Sequence, residues 1–518
     1  MTNEVYLDAN ATSPSLPQAI AAAVDAMQQR FGNPSSIHAA GLRARAVLDD
    51  ARAVARRVLG AGEGANAGKV IFTSGATEAI QTAVLSALCA VREKQINGEA
   101  VGELLLYGAT EHKAVPECLA HWNRILGTRL TVQALPVDAD GLHRLDVLTE
   151  LAPRAVMLCT MAANNETGVV SDLAAIEAIL TAHAPATLWM VDCVQALGKL
   201  PLHLAATRID YAPFSGHKLY APKGIGMLYV RHDAPFTPLM MGGGQEAGLR
   251  SGTENMAGIA ALGAVLHALE QGIVFRGPGQ LALQREKIVA ALMASFPGVV
   301  FNAPFARSLP TTLNFCVPAV SSNDLLKLFD AAGVRLSAGS ACSAASASPS
   351  HVLSAMGMQA ERAGSAVRLS FSPTASDALI DAACACIVRC GAALAAHARP
   401  LDIDIAPSAA AIDRGAVDIQ GADLAAFLRA HPAARLIDVR EAFEHAAAGR
   451  TEWHGHAVES LPLSALPARL AALAADPQDA LVLFCRSGNR SLQALHMLHD
   501  AGHRNTYHLA GGVALALE

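Results

Sequence analysis

Short apolar runs recur through the first half of the chain, at residues 70–73, 104–107, 156–160, 188–192, 211–214 and 227–230. Their length and composition predict buried strands. Longer stretches with helical spacing precede and separate them, beginning with 17–31 and 38–59. Strand–helix alternation of this kind predicts a mainly parallel sheet covered by helices on both faces. Ligands of such sheets collect at the carboxyl ends of the strands. From about 265 to 396 the pattern reads as a second α/β unit, with a strand at 312–317. Periodicity is then lost, and 397–416 reads as a linker. A third unit begins near Val417. It carries apolar runs at 434–439 and 481–485, the second leading into a helix, and has length enough for a small domain.

Three segments put chemistry at predicted strand ends. Ser215-Gly216-His217-Lys218 follows one strand and makes Lys218 a candidate Schiff-base lysine. Burial lowers an ammonium pKa, and a neutral amine can attack an aldehyde carbon. In isolation, the commoner reading of such a tetrapeptide is a solvated surface lysine. Two neighbours reverse the odds. Asp192 ends the apolar run 188–192, and pyridoxal phosphate (PLP) enzymes need a carboxylate beside the ring nitrogen. Residues 70–78 read as a strand, a Ser74-Gly75 turn and a helix start, which offers free N–H groups to a phosphate.

Together with Asp8-Ala9-Asn10-Ala11-Thr12 and Phe31-Gly32-Asn33-Pro34-Ser35-Ser36, these segments resemble the cysteine desulfurases, a branch of the class-V aminotransferases. The resemblance covers residues 5–395. It implies PLP fold type I: a large domain at about 15–260 with a mainly parallel seven-stranded sheet, and a small α/β domain at about 1–14 and 265–396. It further implies that Lys218 holds PLP, Asp192 pairs with the pyridinium and Gln195 bonds the ring hydroxyl. His112, in Glu111-His112-Lys113, would stack on the ring and act as acid or base. Ala76, Thr77, Ser215 and His217 would bind the phosphate, with Thr253 reaching across a homodimer. Asn165 would touch cofactor and substrate, and Arg368 would hold the substrate carboxylate. The nucleophile would be Cys342, in Gly339-Ser340-Ala341-Cys342-Ser343, which carries sulfur away as a persulfide. Ala221 stands where the family has glycine, and Ser372-Pro373 where it often has Gly-Arg.

The third unit resembles a rhodanese domain, spanning 417–518. Its loop Cys485-Arg486-Ser487-Gly488-Asn489-Arg490 has the six-residue length of sulfurtransferases. Successive N–H groups and two arginines there would stabilise a thiolate and then a persulfide. Asp438 and Arg440 match a structural motif. Gly511-Gly512 ends the pattern without the usual tryptophan, which leaves the last helix open.

Composition narrows the class. The net charge of −6 is spread in both signs, which argues against a nucleic-acid platform. Ten cysteines scattered over 518 residues fit a reduced, cytoplasmic setting. Cys384, Cys386 and Cys390 lack a second Cys/His pair at zinc spacing, so they read as buried small apolar residues and no metal is expected. The longest apolar run, 256–269, falls short of the roughly 18 residues of a membrane span, and the N-terminus lacks a secretory pattern. The expected function is conversion of L-cysteine to alanine with sulfur relayed from Cys342 to Cys485. An iron–sulfur scaffold is one candidate acceptor, with tRNA thiolation, thiamine and molybdopterin pathways also open. A selenocysteine lyase and a weakly active sulfur carrier remain as alternatives.

Overall fold

The computed structural model describes residues 4–339, 350–397, 413–475 and 478–516. A seven-stranded sheet forms the centre of the first half. Its order is Lys69–Thr73, Gly226–Val230, Tyr211–Ser215, Leu188–Asp192, Ala155–Met161, Leu104–Gly108 and Thr131–Leu135. Gly226–Val230 runs antiparallel to both neighbours, and the other pairs are parallel. Six of these strands match the apolar runs in the sequence. The seventh, Thr131–Leu135, is an edge strand of mixed polarity that hydropathy does not mark. Helices cover both faces and bury two separate apolar clusters. One contains Leu48, Val54 and Trp189, the other Ile80, Val84 and Met157.

A second sheet holds Val367–Ser370, Thr312–Cys316 and Val300–Phe301, all antiparallel. The N-terminal Val5–Tyr6 pairs in parallel with Val334–Arg335, which ties the start of the chain to this unit. Beyond that pair the chain crosses to the large sheet. Ser13 Oγ donates to His217 O at 2.8 Å and accepts from the Tyr220 N–H at 2.8 Å. The opening motif therefore staples the loop that carries Lys218.

The helix Asp377–Ala396 corrects one expectation. It is long and apolar enough to cross a membrane by length and composition alone. It packs instead against Pro278–Ser295, with Ile380, Ala383 and Ile387 in the core of the second unit. Cys386 and Cys390 are buried on the same helix. Among the described residues no group of three or more His, Cys, Asp or Glu is placed to hold a metal.

The third unit has a six-stranded sheet in the order Asp418–Ile419, Thr506–Leu509, Leu481–Phe484, Arg435–Asp438, His456–Ser460 and Glu452–Trp453. All pairs are parallel except the last. The last helix, left open by the missing tryptophan, is present as Gly512–Leu515. This unit is docked on the second one. Its helix Ala442–Ala448 inserts Phe443 and Ala447 into the cluster that holds Leu328, Phe329 and Cys390. Arg389 bridges the contact, donating to Ala332 O at 3.0 Å and Ala447 O at 3.4 Å.

Candidate active sites

A cavity of about 430 Å³ opens at the carboxyl ends of the large sheet. Its lining includes Ala76, Thr77, His112, Asn165, Asp192, Gln195, Ser215, His217, Lys218 and Arg368. Ten residues named from sequence thus converge on one space. Thr253 does not line it and is exposed. Cys342 lies outside the described residues.

Local structure explains the convergence. The strand Tyr211–Ser215 ends in a tight turn, Gly216–Lys218, which sets Lys218 at the carboxyl end of an interior strand. The helix Ala76–Ile96 begins here with Gly75 at its cap and no side-chain cap bond, so its first N–H groups are open to an anion. Gly226 makes this possible: a Cβ there would sit 2.6 Å from Gly75 Cα.

Charge in the cavity is finely balanced. Burial raises the Asp192 carboxyl, only partly offset by the Val194 N–H at 2.9 Å and by Lys218. Burial and then Lys218 push His112 down to about 4, so its ring is neutral near pH 7. His112 Nδ1 accepts from the Ala114 N–H at 3.2 Å, which leaves the proton on Nε2. Arg368 is buried. Its Nη2 donates to Asp8 Oδ1 at 2.6 Å and its Nη1 to Asn165 O at 2.9 Å, while Nε has no partner.

Sequence reasoning missed the group that holds these parts. Lys199 Nζ donates to Gln195 Oε1 at 2.6 Å and Asn10 Oδ1 at 3.0 Å. Gln195 Nε2 donates to Asn10 O at 3.1 Å, and Asn10 Nδ2 to Asn165 O at 3.2 Å. Burial, then Lys218 and Arg368, push Lys199 down to about 7. A lysine four residues after Gln195, on the same turn, was the available signal.

In the third unit Cys485 follows the strand Leu481–Phe484 and precedes the helix Asn489–Asp500. It is buried, and the Ser491 N–H donates to its sulfur at 3.4 Å. Gly512 lies under the loop, where a Cβ would fall 2.4 Å from Cys485 O. The Val513 N–H takes that oxygen at 2.9 Å. Both loop arginines are paired. Arg490 forks onto Glu444, and Arg486 Nε sits 2.7 Å from Asp330 Oδ2 of the second unit. Asp438 is buried and bonded by Arg440 and His445, as a structural motif should be.

Residues 5–382 match the aminotransferase class-V family, and residues 422–515 match the rhodanese-like domain. The chain belongs to the class-V aminotransferase family. This class-V protein is 37% identical over 380 residues to a cysteine desulfurase of Gluconacetobacter diazotrophicus, covering 73% of this chain and 91% of the relative. It also resembles a solved NifS-like protein, with TM-score 0.64 and 31% identity over 74% of this chain and 98% of the other. A second solved structure, SspA in complex with cysteine, has TM-score 0.60 and 27% identity over 72% and 99%.

Class-V enzymes of this kind are PLP-dependent, and the residues present fit that cofactor. Asp192 is a buried carboxylate that faces a cavity and lacks a full cationic counterpart, which a pyridinium supplies. The uncapped helix start and His217 suit a phosphate, and Lys218 lines the same cavity.

Proposed function

We propose that this chain is a cysteine desulfurase that moves sulfur from L-cysteine to Cys342 and then to Cys485. The observation that carries the reading is the convergence of Lys218, Asp192, His112, Gln195 and Arg368 on one cavity, in a chain that also holds the Cys485 loop. The relative solved with cysteine supports the substrate.

Bound PLP withdraws electrons from the amino acid so that its carbon–sulfur bond can break. Lys218 holds the cofactor, Asp192 keeps its ring nitrogen charged, and Gln195, oriented by Lys199, meets the ring hydroxyl. Ala76, Thr77, Ser215 and His217 take the phosphate. Arg368 meets the substrate carboxylate from the cavity lining, with Asn165 alongside. His112 holds a transferable proton at Nε2. The Cys342 thiolate attacks the substrate sulfur, leaving alanine and a Cys342 persulfide. The Cys485 thiolate then attacks the outer sulfur of that persulfide. The old S–S bond breaks and Cys342 departs as thiolate.

The proposed division is 1–396 for the desulfurase, 397–416 for the linker and 417–518 for the rhodanese part. A homodimer accounts for Thr253, which is exposed away from its own cavity. It also accounts for Ile20, Val24, Met27, Phe31 and Ile37, an exposed apolar series along and beyond the first helix. The setting is cytoplasmic, and the final acceptor is a protein such as an iron–sulfur scaffold. The test supplies cysteine, measures alanine, and locates persulfide by mass spectrometry in wild type and Cys342→Ala. Wild type should carry it on both cysteines and the variant on neither. Persulfide on Cys485 of the variant would defeat the relay. A protein that stays colourless with PLP and yields no alanine would defeat the desulfurase.

A further inference from the structure

Behind the Cys485 sulfur, three side chains stand in line. Cys485 Sγ is 3.6 Å from Ser491 Oγ, Ser491 Oγ is 3.3 Å from His508 Nδ1, and His508 Nε2 is 2.8 Å from Asp418 Oδ1. The fold builds this line. The strands Asp418–Ile419, Thr506–Leu509 and Leu481–Phe484 are neighbours, and the helix Asn489–Asp500 lays Ser491 over the sulfur. Cys485, Ser491 and His508 are 1%, 0% and 2% exposed, so water does not separate the members.

The ends of the line fix where the protons sit. Arg414 bonds Asp418 and holds it below the usual carboxylate range, so Asp418 only accepts. His508 Nε2 therefore carries a proton. Burial holds His508 below its ordinary value against the opposing pull of Asp418, so the ring is neutral near pH 7 and Nδ1 is bare. The Ser491 hydroxyl has two acceptors in reach, Gly488 O at 3.0 Å and bare Nδ1 at 3.3 Å, and turning it to Nδ1 leaves its oxygen facing the thiol. The charged or titratable groups around His508 are Asp418, Arg414 on the helix Arg414–Val417, and His496 on the helix that carries Ser491.

We propose that Ser491, His508 and Asp418 form a buried proton relay for Cys485. The thiol proton passes to Ser491 Oγ as the hydroxyl proton passes to His508 Nδ1. The Ser491 N–H stays on the resulting thiolate. This rests on the reading that Cys485 receives persulfide sulfur. The thiolate forms a bond to the outer sulfur, the donor's S–S bond breaks, and the departing thiolate takes a proton from solvent. The imidazolium then returns its proton to solvent, so charge and atoms balance. Ser491 touches the reacting sulfur and is the catalytic member. His508 and Asp418 act through it as positioning residues.

The test uses the full chain and iodoacetamide, with alkylation of Cys485 followed by peptide mass spectrometry across pH. His508→Gln keeps a donor and an acceptor but cannot take up a proton. At pH 7 it and Ser491→Ala should alkylate roughly tenfold more slowly than wild type, because no buried base then takes the thiol proton as the sulfur attacks. The gap should close near about pH 10, where hydroxide ionises any thiol. Ser491→Thr, which restores the hydroxyl, should return the wild-type profile. Superimposable profiles, or the same loss at every pH, would overturn the relay and leave the line as packing. Should His508→Gln fail to fold, the Ser491→Ala and Ser491→Thr pair decides alone. Alkylation does not involve Cys342, so the sulfur-transfer reading succeeds or fails separately.

Discussion

Arg368 is held by two fixed acceptors, which use two of its five N–H donors. Asp8 and Asn165 orient its two terminal nitrogens, and the residue lines the cavity where the substrate carboxylate is proposed to bind. Lysine puts its donors on one nitrogen and cannot reproduce the planar fork that spans Asp8 and Asn165. Arg368→Lys should raise KM for cysteine by roughly tenfold to a hundredfold, the equivalent of losing a charged hydrogen bond. The cofactor's visible band should persist. Steady-state alanine assays check this, and an unchanged KM would remove Arg368 from the substrate site. His143 supports a second prediction, on stability. It is buried with neither ring nitrogen bonded, and burial pushes it down to about 4 although Asp138 pulls the other way. The unfolded chain binds the proton more readily than the folded one. Stability from the neutral ring is therefore complete above about pH 6.5 and is lost as pH falls toward 4. His143→Leu should lose roughly 3 kcal/mol less than wild type between pH 7 and pH 4, at 1.36 kcal/mol per tenfold change in proton affinity. Urea midpoints at the two pH values measure it. Parallel losses in both proteins would refute it.

At the scale of elements, the sequence was readable where one property acted alone. Strands such as Leu188–Asp192 are buried on both faces, so hydropathy marks them. Thr131–Leu135 is an edge strand with a half-polar face, and nothing local distinguishes it from a loop. Lys218 and Asp192 were legible because their motifs sit at strand ends, and Arg368, inside the strand Val367–Ser370, only through the family resemblance. Lys199 and His508 were harder to see, since Asn10 lies 189 positions from Lys199 and Asp418 90 from His508. Docking of the third unit was also hidden. Its helix Ala442–Ala448 looks like an ordinary capped helix, with Glu441 and Glu444 forming the capping box. Only the fold shows Phe443, 2% exposed, entering the second unit's core. The Arg486–Asp330 pair is partly exposed and adds little by itself. Phe443→Asp should thus cost the docked state about 3–5 kcal/mol, the range for removing a buried aromatic. Small-angle scattering should show a larger radius of gyration. Hydrogen exchange should rise in Ser322–Ala331 and Ala442–Ala448 while the Leu481–Phe484 strand stays protected. An unchanged radius would mean that Phe443 does not hold the contact.

At the scale of the whole molecule, docking changes what the linker has to do. A free tether would only raise the local concentration of Cys485 to roughly millimolar. Here Phe443, Ala447, Arg389 and Asp330 fix the rhodanese part on the unit that also carries Arg368. With its unit docked through Phe443 and Ala447, Cys485 stays in place and the sulfur donor has to come to it. Transfer inside such an assembly is a first-order event. Persulfide should appear on Cys485 after a cysteine pulse at a rate unchanged by tenfold dilution of the protein. Phe443→Asp should slow it, because the acceptor then samples the longer reach of a loose tether. Quenched-flow sampling with peptide mass spectrometry gives both rates. A rate that falls in proportion to dilution would place the transfer between separate assemblies, and the docked contact would then have no part in moving sulfur.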